Sequence, residues 1–111
     1  MHEGASEGEP AAVVVTVFRS RLRPEAGAEY HDTAARMLDL ARAMPGFVDF
    51  KTFEASDGER VSVITFATLE DQHAWRDHPE HRAAQRLGRQ RFYASYSISV
   101  GQVVAERHFP D

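Results

Sequence analysis

The spacing of apolar residues divides the chain into stretches of period two and stretches of period 3.6, which predict strands and helices respectively. Ala11 to Leu22 opens with Val13-Val14-Val15-Thr16-Val17-Phe18, a β-branched run that predicts a first strand with both faces partly covered. Pro24 marks a boundary and is expected in the first turn of a helix. Tyr30, Ala34, Met37, Leu38, Ala41 and Met44 then recur at helical spacing and form one apolar stripe. Pro45-Gly46 ends it. Phe47 to Ala55 predicts a second strand, Asp57-Gly58 a hairpin turn, and Arg60 to Ala67 a third strand. In that third strand Val61, Val63 and Thr65 point one way, and Ser62, Ile64 and Phe66 the other.

Thr68 is placed to cap a short helix, Leu69 to Trp75, and Pro79 to open a second helical segment running to about Arg91. Phe92 to Val104 alternates Tyr96, Ile98 and Val100 with Ser95, Ser97 and Ser99, a long strand with one apolar and one small polar face. The order strand, helix, strand, strand, helix, strand predicts a four-stranded antiparallel sheet of the α+β class with helices on one face. Apolar side chains fall on both alternations of several strands, more than that much helix can cover. A second copy packed sheet to sheet would bury the rest, so a homodimer is expected.

Composition narrows the function. The chain has 111 residues, enough for one domain; residues 1–10 are rich in Gly, Ser and Glu and read as a disordered tail ahead of a domain over 11–111. A formal charge of −4 argues against nucleic acid, which calls for a basic face. The longest apolar run, Ala11 to Val15, is far too short to span a membrane, and the first ten residues lack the features of a secretory signal. A cytoplasmic location is therefore expected. There is no cysteine, hence no disulfide, thiolate metal site or cysteine nucleophile.

The unusual chemistry is concentrated between His73 and Tyr93, which holds three of the six histidines, the only tryptophan and five arginines. His78, His81, Arg82, Gln85, Arg86 and Arg89 form a polar stripe at three- and four-residue intervals. It reads as a solvated helix face, or as one whose start lines a pocket beside the sheet. Trp75 reads as a core or interface anchor that also suits a flat aromatic ligand. His78 and His81 are spaced to share a metal, but Pro79 lies between them and no third ligand is placed, so no metal is expected. As proton acceptors they need no such geometry. Tyr93 and Tyr96 need not share a face; either phenol is suited to an oxygenated ligand or to core packing.

The chain resembles the antibiotic biosynthesis monooxygenase domain family, small dimeric α+β barrels of ferredoxin-like topology. The resemblance runs from about Ala12 to Phe109. It rests on Val17-Phe18-Arg19, Met44-Pro45-Gly46-Phe47, Asp57-Gly58, Thr65-Phe66, Trp75 and Phe92-Tyr93. In haem-degrading members, a Trp matching Trp75 is followed ten residues later by an iron-ligating His; here that position is Gln85, and a polar Asn of the first strand is replaced by Phe18. Haem is thus disfavoured. Cofactor-independent members oxygenate anthrone-like polyphenols, whose deprotonated carbanion itself reduces dioxygen. The resemblance implies such an activity on an aromatic substrate, with no cofactor. By chemistry and position, Trp75, Phe66 and Phe18 would form the wall with Tyr93. His78 would be the base with His81 as its substitute, and Arg86 or Tyr96 the oxyanion donor. A non-enzymatic dimeric binder of small molecules, or a haem-related enzyme with atypical ligation, would use the same fold.

Overall fold

The structure is a computed structural model and describes residues 12–110; the expectation for residues 1–10 lies outside them. Four strands, β1 (Val14–Leu22), β2 (Phe47–Glu54), β3 (Arg60–Phe66) and β4 (Tyr93–Gln102), form one antiparallel sheet in the order β2-β3-β1-β4. Helix α1 (Gly27–Ala43) connects β1 to β2, and α2 (Leu69–Asp77) with α3 (Pro79–Leu87) connects β3 to β4. This is the ferredoxin-like α+β arrangement that the element order predicts.

Local chemistry sets the boundaries. The Thr68 hydroxyl accepts from the Asp71 backbone N–H at 3.0 Å and caps α2. Pro79 opens α3 at a position where its missing N–H has no helical partner to lose. Pro24 does not enter α1, which starts three residues later at Gly27. Gly46 turns the chain between α1 and β2 at φ +77°, and its carbonyl accepts from Ala67 at 2.7 Å. Only glycine fits there, because a Cβ would come within 2.0 Å of the Asp71 carboxylate. The helical segment expected to reach Arg91 instead leaves α3 at Leu87 and passes through a π-helical turn, Gly88–Phe92. Gly88 is needed for another reason: a Cβ would sit 2.5 Å from the Tyr93 ring.

The phase of β1 and β3 follows the alternation. Val14, Thr16 and Ser20 of β1 and Ile64 and Phe66 of β3 are buried beneath the helices. Phe66 and Ile64 form the main core with Leu40, Ala41 and Trp75, while Ala26, Tyr30 and Phe92 make a second cluster at the far end of α1. Leu40 lies off the apolar stripe read from the sequence, on the flank where α1 meets the β2 end of the sheet. On the opposite face of the sheet, Val15, Val17, Val61 and Val63 are only half-buried, and Phe53 is 52% exposed. That face has no helix.

Candidate functional site

Between the sheet and the helices lies a cavity of about 710 Å³, within the usual size range for a small-molecule site. Its floor is the helix-facing alternation of the strands: Thr16, Phe18 and Ser20 of β1, Ile64 of β3, and Ile98 and Val100 of β4. Tyr30, Met37 and Leu38 of α1 form one wall, and Trp75 and His81, from α2 and α3, the other. The expected chamber is not filled by its own tryptophan. Trp75 is buried and turned against Phe66 and Phe50, with ring centroids 5.5 and 6.3 Å away.

Of the residues given a site role from the sequence, four besides Trp75 meet in this cavity: Phe18, His81, Tyr93 and Tyr96. The two tyrosines share a face because of an irregularity in the ladder. Ser20 pairs with Tyr96 and Arg21 with Ser95, but Leu22 pairs with Tyr93, so Ala94 is an extra residue. This bulge reverses the phase of β4 and aims both phenols inward. Their ring centroids are 5.6 Å apart, and each is within 5.4 Å of Phe18. The phenol of Tyr93 is pushed well above its ordinary pKa, chiefly by burial and further by the neighbouring Tyr30. It stays protonated and can donate a hydrogen bond.

The two histidines part company. His78 stands between α2 and α3, where its Nδ1 accepts from the Glu80 backbone N–H at 3.1 Å and caps α3. That bond occupies the lone pair a base would use, and His78 is not in the cavity wall. His81, one turn on, stacks on Trp75 with ring centroids 4.1 Å apart. Its Nδ1 is 3.3 Å from the Arg76 carbonyl. A carbonyl can only accept, so this contact makes Nδ1 the donor and leaves the lone pair on Nε2. Burial lowers the His81 pKa below its usual 6.5, more than the Arg76 carbonyl raises it. The imidazole is thus neutral at pH 7 and able to take a proton.

Two further expectations change. Phe66 lies beneath the wall rather than in it: it is fully buried and underpins Trp75. Arg86 is exposed and outside the cavity, because the stripe it belongs to is wider than the part of α3 that meets the sheet. Arg89, from the π turn, reaches the Tyr96 hydroxyl at 3.4 Å instead.

Sequence reasoning passed over Gln72 and Arg60. Gln72 lies on the Trp75 face of α2, three residues before it, and its Nε2 donates to the Thr16 hydroxyl at 3.3 Å. Its Oε1 and the Trp75 Nε1 are buried without a hydrogen-bond partner among the described residues. Arg60 lines the cavity in phase with Ser62, Ile64 and Phe66, and that phase was the available signal: a charge on the buried alternation of a strand. No group of three or more His, Cys, Asp or Glu among the described residues could hold a metal ion. His81 is the one imidazole of the wall, and the wall carboxylate Asp77 is engaged by Arg76 at 2.8 Å and Arg82 at 3.1 Å. At the position where haem-degrading members carry their iron ligand, the cavity presents Gln85, a poor partner for haem iron.

The fold is shared with solved proteins. SnoaB, a cofactor-independent oxygenase from Streptomyces nogalater, superposes with a TM-score of 0.71 at 18% identity, over 91% of this chain and 100% of that one. Rv0793 from Mycobacterium tuberculosis does so with a TM-score of 0.76 at 18% identity, over 87% and 100%. In sequence, YqjZ of Bacillus subtilis, an uncharacterized protein, is 32% identical over 102 residues, 92% of this chain and 90% of that protein. The antibiotic biosynthesis monooxygenase model matches residues 13–87, a span that runs from the first strand through the helix bearing His81. The chain belongs to the antibiotic biosynthesis monooxygenase family.

Proposed function

We propose that the protein is a cofactor-independent monooxygenase of an aromatic, anthrone-like phenol, with His81 as the base. The observation that carries this reading is a neutral imidazole, stacked on Trp75, in the wall of a largely apolar cavity. Its Nε2 removes a proton from the activated methylene of the substrate. The electron-rich carbanion passes an electron to dioxygen, and the resulting radical pair combines into a peroxide anion, which takes the proton back from the His81 imidazolium to give a hydroperoxide. Loss of water then leaves a carbonyl, so that CH2 and O2 become C=O and H2O. The substrate supplies the electrons, and the protein supplies desolvation, a base and donors. The hydroxyls of Tyr93 and Tyr96 serve as donors to the developing oxyanion. Phe18 and Ile98 hold the ring system flat against the sheet.

The likeness in fold to a cofactor-independent oxygenase supports this reading. So does the contrast between the imidazoles: the Nδ1 of His78 is engaged in capping α3, while His81 lines the cavity with its Nδ1 on the Arg76 carbonyl. A second copy of the chain completes the molecule in this proposal, laid over the half-exposed valines and Phe53 of the helix-free face. Light scattering coupled to gel filtration should give twice the chain mass.

The test of the activity is direct. The purified protein, with no added flavin, haem or metal, is incubated with 1,8-dihydroxyanthrone under 18O2. Enzyme-dependent uptake of oxygen, with the label in the new carbonyl, is the expected result. Recovery of unchanged anthrone bound to the protein would instead make it a carrier.

A further inference from the structure

His81 and Arg60 stand at opposite ends of the cavity. Across the sheet the helix-facing residues form rows: Phe50, Ile64, Thr16 and Val100; then Thr52, Ser62, Phe18 and Ile98; then Glu54, Arg60, Ser20 and Tyr96. Trp75 and its stacked His81 sit over the first end, against Phe50 and Phe66. Arg60 lies two rows away, near Tyr30 and Tyr93. Four residues of extended strand separate Ile64 from Arg60, about 13 Å.

Arg60 differs from the other cations around the cavity. Arg76 and Arg82 both bind Asp77. Lys51 lies over the Phe53 ring, and β2 alternation puts both on the helix-free face. The Arg60 guanidinium lies over the Tyr30 ring, 5.6 Å from its centroid. Stacking occupies the flat face of the group and leaves its in-plane N–H donors available. Nε is buried with no hydrogen-bond partner among the described residues. Among the described residues its one carboxylate contact is a loose one, Nη1 to Glu54 at 3.4 Å, and Glu54 itself is well exposed. A buried charged donor left unpaired is unfavourable unless something else completes it.

We infer that Arg60 forms an anion subsite, so that the substrate is an elongated aromatic acid whose carboxylate or phenolate lies at the opposite end from the carbon facing His81. A planar system of about three fused rings spans that separation. The anion would accept from the accessible N–H donors of the Arg60 guanidinium, while the rings lie on Phe18 and Ile98. A fixed charge at this end orients the ring system and decides which of its carbons meets the imidazole. This inference rests on the cavity being the substrate site.

Calorimetric titration with two matched ligands, anthraquinone-2-carboxylate and anthraquinone-2-carboxamide, tests it. The unaltered protein should bind the carboxylate at least about tenfold more tightly, the scale of a charge-assisted hydrogen bond. Arg60→Gln should bring both ligands to the weaker, carboxamide-like affinity, and Arg60→Lys should restore part of the difference. Equal affinities in the unaltered protein, or a preference that survives Arg60→Gln, overturn the subsite and leave the cavity standing. Failure of both ligands to bind overturns the cavity reading together with the subsite. The comparison in the unaltered protein decides the matter even if Arg60→Gln does not fold.

Discussion

The two ends of the cavity solve opposite electrostatic problems. At the Trp75 end an ionisable group is stripped of charge: His81 is packed against an indole, and burial favours its neutral form. At the Arg60 end a charge that cannot be removed is kept, half-sheltered on an aromatic face and only loosely paired with the exposed Glu54. The first arrangement suits proton transfer and the second suits holding an anion. The difference shows that burial is not uniform along one sheet face. It is deepest where α1 and α2 close over β3, and it lessens toward the β1–β4 side, where Tyr96 is 39% exposed.

Breaking the Trp75 end at its chemistry should have the largest effect. His81→Asn keeps a side chain in the wall but cannot accept the proton, and should slow anthrone oxygenation by roughly 10²–10⁴-fold. Oxygen-electrode rates read this, and His78→Ala should weaken the α3 cap more than the turnover. The pH profile sharpens the point. With neutral His81 as the proposed base and its pKa lowered, turnover should hold through pH 7 and fall only below 6.5. Stability follows the same sign: the unfolded chain takes up a proton near 6.5 before the folded one does, so the contribution of His81 is lost as pH falls from 6.5 toward its depressed value. A rate that rises on acidification would exclude a neutral base.

Removing the support beneath that end comes next. Phe66→Ala opens a hole under Trp75 in the most tightly packed part of the core, and should destabilise the protein by about 3–5 kcal/mol in a denaturant titration. The other end should respond more mildly. Gly88→Ala forces the Tyr93 ring away from its seat, since the new Cβ would lie 2.5 Å from it. The expected loss is about 1–3 kcal/mol. It should be accompanied by weaker anion binding near Arg60, with the acid-side pH dependence of His81 unchanged. Equal effects of the two substitutions on the His81 titration would dissolve the distinction between the ends.

Much of this protein was legible from local pattern. The β-branched run of β1, the alternation of β3, the Thr68 cap and the Pro45-Gly46 stop each act over a few residues, so their consequences could be read in place. The candidate site was legible only in part. His78 and His81 are three residues apart and of one type, and nothing local says that one imidazole caps a helix while the other lines a cavity. Tyr93 and Tyr96 have the wrong spacing for a shared strand face, and a bulge at Ala94, set by pairing with β1, brings them together. Arg60 was visible as a charge in phase with buried residues, but its significance depended on Tyr30, thirty positions away.

The sequence by itself determined the element types, their order and hence the ferredoxin-like sheet, because hydrophobic period, turns and caps are short-range properties. Tertiary packing alone decided which imidazole is neutral and lines the cavity, which phenols converge and which arginine is only loosely paired. Those outcomes depend on desolvation and on partners brought from distant segments, and neither exists until the chain has folded.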